Sequence, residues 1–167
     1  MGVAGCGKSS VAEACARRMG WHLVEGDDYH SPEASEKMRS GTPLTDADRE
    51  GWLQRLGAVL QAHALPDQPG VVLTCSSLRR RYRDQLRAAL PGQPGLRFAF
   101  LDLTMAQAQA RVAARAGHLF PASLVASQFA TLESPVGEPG VLRLDATEPI
   151  SALAEQVGVW LSGGGKS

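Results

Sequence analysis

From residue 9 onward the chain alternates between apolar runs of helical period and short runs of strand length. Val11, Ala12, Cys15, Ala16 and Met19 fall on one helical face. Residues 21–25 read as a strand. Ser31-Pro32-Glu33 supplies an N-cap followed by proline at the first helical position, predicting a short helix that closes near Ser40-Gly41. Thr45-Asp46-Ala47-Asp48 is an acidic variant of the capping box. It opens a longer helix with Trp52, Leu53, Leu56, Val59 and Leu60 on one face. Residues 66–70 form a loop. Val71-Val72-Leu73-Thr74-Cys75 is a continuous apolar run, as expected of a strand buried on both faces. Helix over 79–90, strand over 96–103, helices over 105–116 and 122–132, and a strand over 141–145 follow. Ile150, Leu153, Val157, Trp160 and Leu161 mark a closing helix. This alternation predicts an α/β fold, a parallel sheet covered by helices on both faces, in one domain over residues 1–167. The tail at 163–167 looks superficially like a phosphate loop. Trp160 stands where its first glycine would be and no helix follows, so it reads as a frayed end.

The start of the chain, Gly2-Val3-Ala4-Gly5-Cys6-Gly7-Lys8-Ser9, fits the phosphate-binding pattern G-x-x-x-x-G-K-[ST]. Glycines allow the tight turn that aims successive N–H groups at phosphate oxygens. Lys8 can reach the β- and γ-phosphates, and the Ser9 hydroxyl can coordinate Mg²⁺. The bound phosphates would sit at the N-terminus of the helix that includes Ser9 and Ser10. Such a motif ordinarily follows a buried strand, yet only Met1 precedes Gly2. The expectation is a first strand that is missing or very short. A plain glycine-rich turn before a helix is the competing reading.

Composition changes this picture little. With 167 residues, ordinary apolar content and zero formal net charge, the chain has room for a core. It shows no broad attraction to nucleic acid or membrane. Cys6, Cys15 and Cys75 fit neither a zinc site nor a disulfide framework, and read as small apolar fillers in a reducing compartment. No signal peptide or membrane-length apolar run is apparent, so the cytoplasm is the expected location. Three lysines stand against fourteen arginines. Most arginines suit a solvated surface, while a few are placed to bind carboxylate or phosphate through the planar fork.

Three further stretches bear on chemistry. Glu25-Gly26-Asp27-Asp28-Tyr29-His30 lies at the carboxyl end of a strand, where open α/β sheets bind ligands. One carboxylate there can take a proton from an attacking hydroxyl and another can hold Mg²⁺ through water. A polar loop with aspartate as turn former fits the same residues. Arg79 and Arg83 are one turn apart in a helical reading and could face one cleft, whereas Arg80, Arg81 and Arg87 suit a solvated face. Arg111 and Arg115 share a helix face just before Gly117-His118. This arrangement suits either a lid over about 111–122 that brings an arginine to the transferring phosphoryl group, or an amphipathic surface helix.

Together these stretches resemble the gluconokinases, P-loop kinases related to shikimate kinase. The likeness rests on the phosphate loop, on 25–33, on 37–49 with Trp52-Leu53, on Cys75-Ser76-Ser77-Leu78-Arg79 and Tyr82-Arg83-Asp84, on Gly117-His118, and on 127–133. Segment 37–49 is absent from generic P-loop kinases. The resemblance implies the three-layer P-loop kinase sandwich with a lid, ATP and Mg²⁺ as cofactors, and phosphorylation of D-gluconate at its 6-hydroxyl. By position, Asp27 would be the catalytic base beside Lys8, and Glu25 would stand near Mg²⁺ in place of an aspartate one methylene shorter. His30, Arg49, Arg79 and Arg83 would line the gluconate site. Arg115 would be the lid arginine and Arg111 would lie by the adenine. Homodimerisation is a further implication of the resemblance. The alternatives are a kinase of another small hydroxy acid such as shikimate, or a nucleotide-binding regulator without catalysis.

Overall fold

The computed structural model describes residues 1–64, 69–90, 95–114 and 122–163. Seven helices and four strands alternate among them: α1 (Lys8–Met19), β1 (His22–Glu25), α2 (Pro32–Arg39), α3 (Asp46–Ala62), β2 (Val71–Thr74), α4 (Arg80–Ala88), β3 (Phe98–Asp102), α5 (Met105–Ala113), α6 (Ala122–Thr131), β4 (Val141–Asp145) and α7 (Ile150–Ser162). A 3₁₀ turn, Gly26–Tyr29, joins β1 to the loop before α2. Local chemistry sets the boundaries. The Ser31 hydroxyl accepts from Ala34 N–H with Pro32 at the helix start. Thr45 and Asp48 close the acidic capping box that opens α3. An analogous box of Thr104 and Gln107 opens α5.

Among the described residues all strand pairing is parallel. His22–Glu25 runs beside Val71–Thr74, and Phe98–Asp102 beside Val141–Asp145. Each pair is a two-stranded sheet, and the first residues of the chain bridge them. The Met1 amino group donates to Ala99 O at 2.6 Å and Leu101 N–H donates to Met1 O at 3.0 Å. On the other side Gly2 N–H donates to Ser76 O at 3.2 Å. Among the described residues no strand precedes the phosphate loop, and Met1 and Gly2 tie the two pairs together. Between β2 and β3 lies an apolar cavity of about 500 Å³ that touches Met1, Val72, Leu73 and Ala99. This corrects the expectation that β2 is buried on both faces: Val71, Val72 and Leu73 are only half-buried.

Alternating strand residues feed two cores. Val72, Ala99 and Leu142 pack with Val11, Cys15, Leu101, Leu144, Leu153 and Val157. Val71, Leu73, Phe98 and Val141 pack with Trp52, Leu53, Leu56, Leu60, Tyr82 and Leu86. Since neighbouring strand residues point to opposite faces, one core lies on each side of the sheet. Helices α1 and α7 cover one side and α3 and α4 the other. Ile150, expected on the buried face of the closing helix, is exposed. Residues 164–167 of the expected frayed tail lie outside the described residues. Among the described residues no helix is long and apolar enough to cross a membrane.

Candidate active site

The phosphate loop is held open by its glycines. Gly5 has φ +81°, and a Cβ there would stand 2.8 Å from Ala108 O, so the loop rests directly on α5. Gly7, at φ +94°, is the N-cap of α1 and makes no side-chain cap bond. The first N–H groups of a twelve-residue helix therefore face outward for an anion. Val3 and Cys6 turn inward and are buried in the core. Lys8 folds back over the loop, its Nζ donating to Val3 O at 3.1 Å. Ser9 and Ser10 lie in the first turn of α1. The Ala4 N–H donates to Gln128 Oε1 of α6 at 2.6 Å, a contact across 124 residues that no local pattern foretells.

A cleft of about 250 Å³ opens above this loop. Ala4, Gly5, Gly7, Lys8 and Ser9 form its floor; Asp27 and His30 line it from the turn after β1, and Arg49 from α3. Met38 of α2 and Thr42, Pro43 and Leu44 of the segment between α2 and α3 also line it. The carboxylates of Glu25, at the end of β1, and Asp27, in the turn that follows, differ in setting. Glu25 Oε2 accepts from Ser9 Oγ at 3.1 Å and from Thr74 Oγ1 at 2.7 Å. The Asp27 side chain is 75 % exposed, with His30 Nε2 at 3.8 Å. The His30 side chain is buried, and its ring stacks on Trp52 with centroids 4.2 Å apart. Burial lowers its pKa, opposed by the Asp27 charge and assisted by Arg49 and Arg55, so the imidazole is neutral at pH 7. Among the described residues His30 Nδ1 is buried without a hydrogen-bond partner. Trp52 Nε1 donates to Gly26 O at 2.7 Å, which fixes the turn that carries both Asp27 and His30. Arg49 anchors one nitrogen on Leu44 O.

The remaining expected site residues lie elsewhere. Arg83 is corrected: it is fully buried, donating to both oxygens of Glu138 and to the carbonyls of Ser77, Leu78 and Glu133. Those bonds occupy its guanidinium, so it has no fork left for a substrate carboxylate. Arg79 is the N-cap of α4, and it reaches Asp46 at 3.3 Å. It therefore does not share a helical face with Arg83. Arg81 and Tyr82 converge on the same Asp46, and their hydrogen bonds hold its carboxyl down at about 2. Of the arginines assigned to a solvated face, Arg87 instead pairs with Glu138 at 2.9 Å and covers the Phe98 ring. Arg111 donates to Ala146 O at 2.7 Å, tying α5 to the loop after β4. Arg115, Gly117 and His118 lie outside the described residues, as does most of the expected lid.

Hard oxygen donors suit Mg²⁺. The Ser9 hydroxyl and the Glu25 carboxylate stand together at the phosphate loop, an arrangement that fits an ion shared with nucleotide phosphates. No group of three or more His, Cys, Asp or Glu side chains placed to hold a metal ion occurs among the described residues.

The chain is similar to known proteins over nearly its whole length. A protein-family profile described as "AAA domain" matches residues 1–137. The chain is 42% identical over 158 residues to the gluconokinase of Gluconobacter oxydans (strain 621H), covering 94% of this chain and 86% of that protein. It is 37% identical over 154 residues to the thermoresistant gluconokinase of Escherichia coli (strain K12), covering 92% and 86%. The crystal structure of a gluconokinase from Sinorhizobium meliloti 1021 superimposes with a TM-score of 0.87 at 41% identity, over 99% of this chain and 90% of that one. An APS kinase of Mycobacterium tuberculosis shares the fold, with a TM-score of 0.72 at 21% identity. The phosphate loop, the cleft above it and these likenesses over nearly the whole length place the chain in the gluconokinase family of P-loop kinases.

Proposed function

We propose that this protein transfers the γ-phosphoryl group of ATP to the 6-hydroxyl of D-gluconate, giving 6-phosphogluconate and ADP. The observation that carries the reading is one cleft in which Lys8 and Ser9 of the phosphate loop meet Asp27, His30 and Arg49. Phosphate donors, a solvent-reaching carboxylate and a cation for an acidic substrate are the three parts the reaction needs.

In this reading the loop amides and Lys8 bind the β- and γ-phosphates. Asp27 takes the proton of the substrate hydroxyl as that oxygen attacks the γ-phosphorus, and the bond to the β–γ bridging oxygen breaks to release ADP. Arg49 pairs with the gluconate carboxylate and His30 Nδ1 meets a substrate hydroxyl. Mg²⁺, when bound, neutralises charge on the β- and γ-phosphates. Ser9 would hold it directly and Glu25 through water. Arg111 borders the adenine. Asp27→Asn tests the assignment. Turnover should fall by roughly two orders of magnitude or more, the scale of a lost general base, with ATP affinity retained. An Asp27→Asn protein that turns over at the wild-type rate would remove Asp27 from the role of base.

A further inference from the structure

Thr74 is the last residue of β2 and only 5 % exposed, and its hydroxyl sits between the side chain of Glu25, at the end of β1, and the backbone of Gly26, at the start of the turn that follows. It accepts from Gly26 N–H at 3.0 Å and donates to Glu25 Oε2 at 2.7 Å. Ser9 Oγ donates to the same carboxylate oxygen at 3.1 Å. One hydroxyl thus uses its donor on the carboxylate and its acceptor on the adjoining backbone. Among the described residues Glu25 Oε1 has no hydrogen-bond partner, which leaves one oxygen for the hydration shell of an ion. A glutamate side chain has three rotatable bonds, and its carboxylate does not stay at one place unless something fixes it. The hydroxyl of Thr74 does so from a neighbouring strand.

We propose that Thr74 is a positioning residue for the ion site: it holds the Glu25 carboxylate against Ser9, so that the extra methylene of glutamate does not cost metal affinity. The proposal rests on the reading that Ser9 and Glu25 hold Mg²⁺. Groups hydrogen-bonded to a metal's carboxylates orient them, and their loss typically weakens metal binding about 10- to 100-fold.

The test is Mn²⁺ binding to the folded protein saturated with the β,γ-imido analogue of ATP, followed by electron paramagnetic resonance. Thr74→Val keeps the shape and removes the hydroxyl; Thr74→Ser keeps the hydroxyl. The expected result is about tenfold weaker Mn²⁺ binding for Thr74→Val. Thr74→Ser should keep wild-type affinity, and nucleotide affinity measured without metal should not change. Thr74→Val should add no further loss to Glu25→Gln, since the hydroxyl acts through that carboxylate. Wild-type Mn²⁺ affinity in Thr74→Val beside weakened binding in Glu25→Gln would overturn the role of Thr74 and leave the ion site standing. Wild-type affinity in both variants would overturn the ion site, and the proposal with it. Equal losses in Thr74→Ser and Thr74→Val would mean that packing, not the hydroxyl, is responsible, and would also overturn the proposal.

Discussion

Glu25 and Asp27 are two positions apart and carry different chemistry because their surroundings differ. Glu25 is engaged by Ser9 and Thr74, whereas Asp27 reaches into solvent at the cleft. Gly26 between them makes the separation possible. A Cβ at Gly26 would stand 2.0 Å from Thr74 O, a contact with backbone that no rotamer change relieves. Gly26→Ala should therefore shift the turn that holds Asp27. We expect a stability loss of about 1–3 kcal/mol, typical of overpacking, in thermal melts. Turnover should fall by more than the melting data alone explain. A variant with wild-type turnover would mean that the turn tolerates displacement. The phosphate loop and the cluster at 25–30 were legible in the sequence because their chemistry lies in consecutive residues. Thr74 and Gln128 were not, since each acts on a group 48 or more positions away. Trp52 was legible as a core residue, but not as the hydrogen-bond donor that fixes Gly26 O.

At the scale of elements, caps could be read directly: Ser31, Thr45 and their partners are local motifs. The face of α4 could not. Placing Arg79 and Arg83 together assumed both were helical, but the helix begins at Arg80 and Arg79 is extended, with φ −101° and ψ 148°. Arg83 then turns inward to Glu138, joining α4 to the loop before β4. The Arg83 and Arg87 guanidiniums hold the Glu138 carboxyl down at about 2, with Arg83 the largest contributor. Since the folded pKa is depressed, this pairing stabilises the fold above the ordinary glutamate range near 4.5 and is lost as pH falls towards 2. Glu138→Gln leaves Arg83 buried without its counter-charge, which should cost about 3–5 kcal/mol in denaturant titrations. The Michaelis constant for ATP should not change, because neither residue lines the cleft. A larger effect on substrate binding than on stability would return Arg83 to the substrate site.

At the scale of the molecule, alternating apolar runs foretold a parallel α/β sheet, and the two cores on opposite faces of the strands agree with it. The order of strands was not legible, because pairing across the sheet depends on helix packing rather than on neighbours in sequence. The way Met1 and Gly2 bridge the two strand pairs also lay beyond pattern reading. The same bridge sets the phosphate loop between β2 and β3, and the segments that follow β1 and β2 line the cleft through Asp27, His30 and Ser76, at strand ends of the kind where α/β folds bind ligands. The central claim is that this cleft phosphorylates gluconate. It is tested most directly by ADP release from ATP and Mg²⁺ with gluconate, 2-keto-gluconate, shikimate, glucose and nucleosides offered in turn. The account predicts release that depends on gluconate and on none of the others; release with shikimate and none with gluconate would contradict it.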